Sequence, residues 1–304
     1  MADGLRRQAA APAAELGLRQ AAGQSAVQAP QDRTVAVSWI DAIGQAHGRA
    51  APDARIVSLV PSITELLFDL DLGERVVGRT GFCIHPRERV ANVPKVGGTK
   101  DVKLDALRRL APAHVIVNID ENEAPTVDAI RAFVPNVIVT HPNAPADNLA
   151  LYRLLGGIFD REAQAEALCA RLQAELDACA ARDWPRETVL YLIWKKPWMT
   201  VAADTYIART LALVGWIVTA PAGGERGAAR YPVVDDLDTE VARVDRVLLS
   251  TEPFMFRERH VTELRSRHPQ QPIDLIDGEM TSWYGSRAIR GLAYLREFRA
   301  ARLA

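Results

Sequence analysis

The segment Asp160–Ala181 contains neither glycine nor proline, and Leu168, Leu172 and Leu176 recur in it at four-residue spacing. That pattern predicts a continuous helix about 30 Å long at 1.5 Å per residue, stopped by Asp183-Trp-Pro185. Its neighbours make it constraining. Before it, apolar strands Arg55–Val60, Arg75–Arg79, His114–Asn118 and Val137–Thr140 alternate with helices at Ile63–Leu70, Leu104–Leu110 and Val127–Phe133. After it, strands Val189–Trp194, Arg246–Ser250 and Ile273–Ile276 alternate with helices Tyr206–Val214, Asp236–Ala242, Glu258–Arg267 and Ser286–Ala300. Short apolar strands alternating with amphipathic helices mean mainly parallel sheets covered on both faces. The expected fold class is therefore α/β, with two Rossmann-like lobes, a backbone helix joining them and a cleft between. The expected bounds are a poorly ordered tail over 1–33, a first lobe over 34–145, the linking helix over 146–185 and a second lobe over 186–304. Two local readings go with this. Val35–Trp39 and Asp41–Gln45 form a polar hairpin, and Ser62-Ile-Thr-Glu65 is a capping box opening the first helix.

At 304 residues and 48% hydrophobic content, the chain can bury one full core or two modest ones. A net charge of −1 argues against a nucleic-acid partner or an acidic-membrane patch. No apolar run approaches the roughly 18 residues that read as a membrane-spanning helix. Met1–Arg33 has Arg6-Arg7 but no apolar stretch behind them, so it does not read as a secretory signal. Cys169 and Cys179 lie about 15 Å apart on one helix, too far to bridge, and read as small core residues.

Four stretches carry candidate chemistry. Asp277–Arg287 sets Trp283 and Tyr284 beside carboxylates and Arg287; the aromatics either line a cleft or cap the second lobe's core. Asn118–Glu123 lies just past a parallel strand, where open sheets place ligands. Glu121 and Asn122 could there bond a ligand, or the acids could serve a helix N-terminus. Trp194-Lys-Lys-Pro-Trp198 offers flat aromatic area, Trp198 as the cleft candidate and Trp194 as a core alternative. In Phe82-Cys-Ile-His-Pro86, Cys83 and His85 could supply a soft and an imidazole metal ligand, or be a buried thiol and a loop residue. No catalytic set stands out. Ser286, His260 and His268 have no paired acid, and Gly97-Gly-Thr-Lys100 lacks the spacing of a phosphate-binding loop.

Arg55–Glu65, Val93–Thr99 with Leu104–Pro112 and His114–Val117, Tyr191–Thr200, and Gly278–Arg287 together resemble the helical-backbone class of solute-binding proteins. That class serves cobalamin, iron–siderophore and some metal-ion ABC importers, and the cobalamin and corrinoid binders are most similar. The resemblance implies ligand contacts at Phe82, Met199 and Tyr231, with Glu279 and Arg287 near the polar positions. It puts Thr99 where the cobalamin binders often have tryptophan. For docking on the transporter it implies Asp105 in the first lobe; the second position falls near Leu237, with Asp236 beside it.

The expected function is therefore a monomeric binding protein, not an enzyme, without an intrinsic cofactor. It would hold a cobalamin-like corrinoid or an iron or metal chelate between its lobes and deliver it to an ABC importer permease. The alternative is a leaderless cytoplasmic cofactor-handling protein or enzyme that reuses the fold. Resemblance points to the periplasm, whereas the N-terminal sequence leaves the cytoplasm open.

Overall fold

A computed structural model describes residues 38–219, 221 and 230–303. The expected tail Met1–Arg33 and the glycine-rich stretch Gly223–Gly227 lie outside the described residues. The described chain begins with an antiparallel hairpin of β1 (Trp39–Ile40) and β2 (Ala46–His47). Its turn runs along the first sheet: Ala42 N donates to Val139 O, and the Asp41 carboxylate accepts from Val139 N at 3.0 Å. Those bonds cover an edge strand that would otherwise offer bare backbone groups.

The first lobe follows as β3 (Ile56–Ser58), α1 (Pro61–Asp69), β4 (Val76–Arg79), α2 (Arg87–Val90), α3 (Leu104–Arg109), β5 (His114–Asn118), α4 (Ala124–Arg131) and β6 (Asn136–Thr140). The strands pair in parallel in the order β4-β3-β5-β6. Every residue of β3 and β5 is buried, as a sheet covered on both faces requires. Two helices link the lobes, α5 (Asp147–Phe159) and α6 (Glu162–Ala180). The predicted long helix is α6. The chain breaks between the two at Asp160, whose φ of 61° is left-handed. A Cβ on Gly156 would come within 2.5 Å of the Ala165 side chain, so glycine is what lets α6 pack this close to α5.

The second lobe is β7 (Glu187–Leu192), α7 (Tyr206–Ala212), β8 (Trp216–Val218), α8 (Leu237–Ala242), β9 (Arg246–Ser250), α9 (Glu258–Arg267), β10 (Ile273–Ile276), α10 (Gly278–Ser282) and α11 (Arg287–Ala300). Its sheet, also parallel, has the order β10-β9-β7-β8. In chain order both sheets read second, first, third, fourth. The lobes are thus the same topology twice, and the α/β fold of two parallel-sheet lobes is the one the alternation implied. One apolar cluster, including Leu67, Tyr152, Leu172, Tyr284 and Leu292, runs from α1 through α5 and α6 to α11, so the lobes share a core.

Two local expectations need correction, and one strand had none. Ser62-Ile-Thr-Glu65 is not a capping box: the helix begins at Pro61, no side chain caps it, and Glu65 is buried. Proline suits that first helical position because its missing N–H would have no partner there anyway. The Gly278–Arg287 stretch is not all loop, since Asp277 accepts from Met280 N at 3.2 Å and opens α10. Short β8 carried no recognisable pattern; it follows Gly215, which sits at φ 79°.

Candidate functional site

In an open α/β sheet, ligands settle outside the carboxyl ends of the strands where the strand order reverses. Here that point lies between β3 and β5 in the first lobe and between β7 and β9 in the second. A cavity of about 360 Å³ lies where the two meet. Pro61 and Ser62 after β3, Asn118 to Glu121 at the end of β5, Ile193 after β7, and Glu252-Pro253 after β9 all line it. Tyr206, Tyr231, Trp283 and Tyr284 complete an aromatic wall. The cleft is therefore a direct product of topology, built from equivalent loops of two repeats. Its volume falls in the range of small-molecule sites.

Acidic groups form its base. Glu121 has no cationic partner among the described residues; it accepts one bond, from the Tyr284 hydroxyl at 2.6 Å. Burial pushes its carboxyl up to about 7, with that bond opposing and the charges of Asp120 and Glu252 adding to the shift. Glu252 accepts from Ser282 Oγ at 3.0 Å and Trp283 Nε1 at 2.6 Å, both on the same oxygen. Burial raises its carboxyl too, and the charge of Glu279 adds to that. Asp120 differs, because Arg230 from the second lobe reaches it at 3.1 Å while also bonding Asn143. The Tyr284 phenol is raised well above its ordinary value, chiefly by burial.

Behind the aromatic wall stands a clamp. Arg287 donates to both oxygens of Glu65 at 2.7 and 2.9 Å and also to Glu279. Its guanidinium lies 4.6 Å from the Trp283 ring centroid, and His85 reaches Glu279 at 3.1 Å. Thus α1 of the first lobe is tied to α11 of the second through a buried ion pair.

Residues 56–245 match the family described as periplasmic binding protein. The chain belongs to that family. The vitamin B12-binding protein of Vibrio campbellii is 22% identical to it over 215 residues, which cover 69% of this chain and 72% of the relative. Among solved structures, the periplasmic vitamin B12 binding protein BtuF of Vibrio cholerae matches with a TM-score of 0.67 and 16% identity, covering 82% of this chain and 97% of its own. The periplasmic heme-binding protein RhuT of Roseiflexus sp. RS-1 matches with the same TM-score and 23% identity, covering 82% and 98%. These structural likenesses concern the fold. They agree with the resemblance carried by the motifs.

Of the binding protein's expected site residues, the structure brings Glu121, Tyr231, Trp283 and Tyr284 together around the cavity. The others stand outside its lining. Phe82 is 64% exposed at a loop tip of the first lobe. Asn122 donates to the Thr99 carbonyl at 2.9 Å, which holds the two loops together. Trp198 stacks on Phe256, Met199 bridges Trp194 and Val233 in the second lobe, and Trp194 is 39% exposed. Glu279 and Arg287 belong to the clamp. Cys83 is fully buried with its sulfur 3.1 Å from Thr80 Oγ1, and burial raises its thiol. That favours the thiol over the thiolate that binds metals. Among the described residues, no group of three or more His, Cys, Asp and Glu is arranged to hold a metal ion. Asp105 is exposed and pairs with Arg108, while Asp236 caps α8 by accepting from Thr239. Among the described residues, no helix is long and apolar enough to cross a membrane.

Two positions at the cavity carry no local mark. Glu252 sits in an ordinary Thr-Glu-Pro turn, and Arg230 is a single arginine before Tyr231. Position alone could have pointed to Glu252, since it follows the strand of the second series that corresponds to β5.

Proposed function

We propose that this protein is the solute-binding component of an ABC-type importer and holds a cobalamin-like corrinoid or an iron or metal chelate in its interlobe cleft. The observation that carries the reading is the aromatic cleft at the switch points of both sheets. A broad, flat ligand gains large contact area against Tyr206, Tyr231, Trp283 and Tyr284 at little cost in side-chain entropy. Relatives with vitamin B12 and heme in their names support the same class of solute. The ligand is cargo, so the protein acts by holding it and not by transforming it. Phe82, Met199 and Trp198 would extend the contact as the ligand protrudes from the cleft, and His85, beside Trp283 at 5.5 Å, would be the available imidazole. Asp105 and Asp236, exposed on opposite lobes, would face the permease, with the protein working as a monomer in the periplasm.

Trp283 makes the cleft observable. Titrating the purified protein with cobalamin, cobinamide, haem and ferric siderophores should give saturable quenching of tryptophan fluorescence with at least one of them. If none quenches, the receptor reading is lost.

A further inference from the structure

The cleft's polar groups are unusual for a site that would welcome an anionic ligand. Glu121 and Glu252 come from different lobes, line the same cavity and have no cationic partner among the described residues. On each, the bonds from protein groups fall on one carboxyl oxygen, which leaves the other to accept from a ligand. Arg230, which also comes from the second lobe, bonds Asp120 and Asn143 and neither of these glutamates. Across from the acids, α1 points its first turn at the cavity through Pro61 and Ser62, and no side chain caps it. The Ser62 hydroxyl is buried and makes no hydrogen bond of good geometry; its one polar neighbour is the Tyr284 hydroxyl, which donates to Glu121. The cavity thus offers two acceptors from acids and donors from a hydroxyl and a helix N-terminus.

We propose that the base of the cleft is a carboxamide-recognition subsite, in which Glu121 and Glu252 accept from amide N–H groups on the ligand rim and Ser62 with the start of α1 donates to the amide oxygen. The proposal rests on the reading of the cleft as a solute site and narrows it to ligands fringed with amides. A primary amide has two donors and an acceptor, which complements this set. A carboxylate in the same place has no donor for either glutamate and brings a like charge into a partly dehydrated site. A site built to bond a particular donor rejects the analogue lacking it strongly, because its own buried groups then go unpaired.

Two corrinoids that differ in this respect test it. Dicyanocobinamide carries side-chain amides, and dicyanocobyrinic acid carries free carboxylates on the same ring and metal. Both are titrated into the full chain at about pH 8.5, above the value of about 7 at which Glu121 ionises, by fluorescence quenching and calorimetry. The amide form should bind at least about 100-fold more tightly. Comparable affinity for the two would overturn the subsite and leave the receptor reading intact; binding of neither to the wild type would overturn the subsite, and the receptor reading would then be decided by the haem and ferric-siderophore titrations. In the double variant Glu121→Gln/Glu252→Gln, isosteric and checked for folding by circular dichroism, the ratio should fall at least about tenfold, mainly through tighter binding of the acid. An unchanged ratio would take the discrimination away from these residues. The single variant Glu252→Gln should give a smaller change in the same direction, and no change in it would remove Glu252 from the subsite.

Discussion

Glu65 is buried and Glu121 half-buried where the lobes meet, yet they are treated in opposite ways. Glu65, on α1, receives two bonds from Arg287 and a third from Arg290 at 2.7 Å. Glu121, at the end of β5, receives one bond from a neutral phenol and no cation. The first carboxylate is neutralised in place and becomes part of the joint between α1 and α11. The second is left to hold its charge at a cost, and its carboxyl rises to about 7 as a result. A desolvated acid without a cationic partner is expensive for the fold, and on the proposed reading a ligand in the adjoining cavity is the missing partner. On the proposed reading, the same side chain is glue at one site and bait at the other.

The largest effect should come from breaking the glue. Replacing Arg287 with alanine leaves Glu65 buried with only Arg290, whose side chain is 58% exposed, and removes the support under Trp283. Deleting one partner of a buried pair costs about 3–5 kcal/mol, because the remaining charge has nowhere to go. Urea denaturation of Arg287→Ala against wild type measures it. A loss below about 1 kcal/mol would mean that Arg290 takes over the bond and that the clamp is redundant.

The alternating apolar runs made the two lobes legible, since burial on both faces of a parallel sheet leaves strands such as Val115–Val117 and Val247–Leu249 uniformly apolar. The helix at Glu258–Arg267 and the strand at Ile273–Ile276 fall where their patterns put them. Glu65 was not legible, because Ser-x-x-Glu has the same spacing in a helix cap and in a core, and its true partner is 222 residues away. The aromatic pair Trp283-Tyr284 and the acid Glu121 could be found because each breaks a local rule. Glu252 and Arg230 break none; they matter only because the second sheet repeats the topology of the first and faces it.

The next effect, on the bait, is smaller and depends on pH. The folded value of Glu121 lies above its unfolded value of about 4.5. The native state therefore binds this proton more tightly, and the stability it contributes is fully present below pH 4.5 and is lost as pH rises through about 7. Tyr284, Asp120, Glu252, Tyr231 and the thiol of Cys83 face or neighbour the same group, so the clean measurement is a difference between variant and wild type. Relative to wild type, Glu121→Gln without ligand should gain on the order of 1–3 kcal/mol between pH 5 and pH 8. A difference curve that stays flat across that range would show that Glu121 is ionised and comfortable, and the contrast with Glu65 would collapse.

The smallest effect is the control that gives the comparison its scale. Arg153 and Glu166 join α5 to α6 through two bonds at 2.7 and 2.9 Å, a geometry as good as that of Arg287 with Glu65. Both side chains are more than half exposed, however. Water solvates either charge nearly as well as the partner does, and salt screens what attraction is left. Arg153→Ala should therefore leave the urea midpoint within the scatter of repeated measurements, at low and at high salt alike. A clear loss that disappears at high salt would show that bond geometry alone can stabilise a pair in this fold. The difference between Glu65 and Glu121 would then have to be read from their partners, without any appeal to burial.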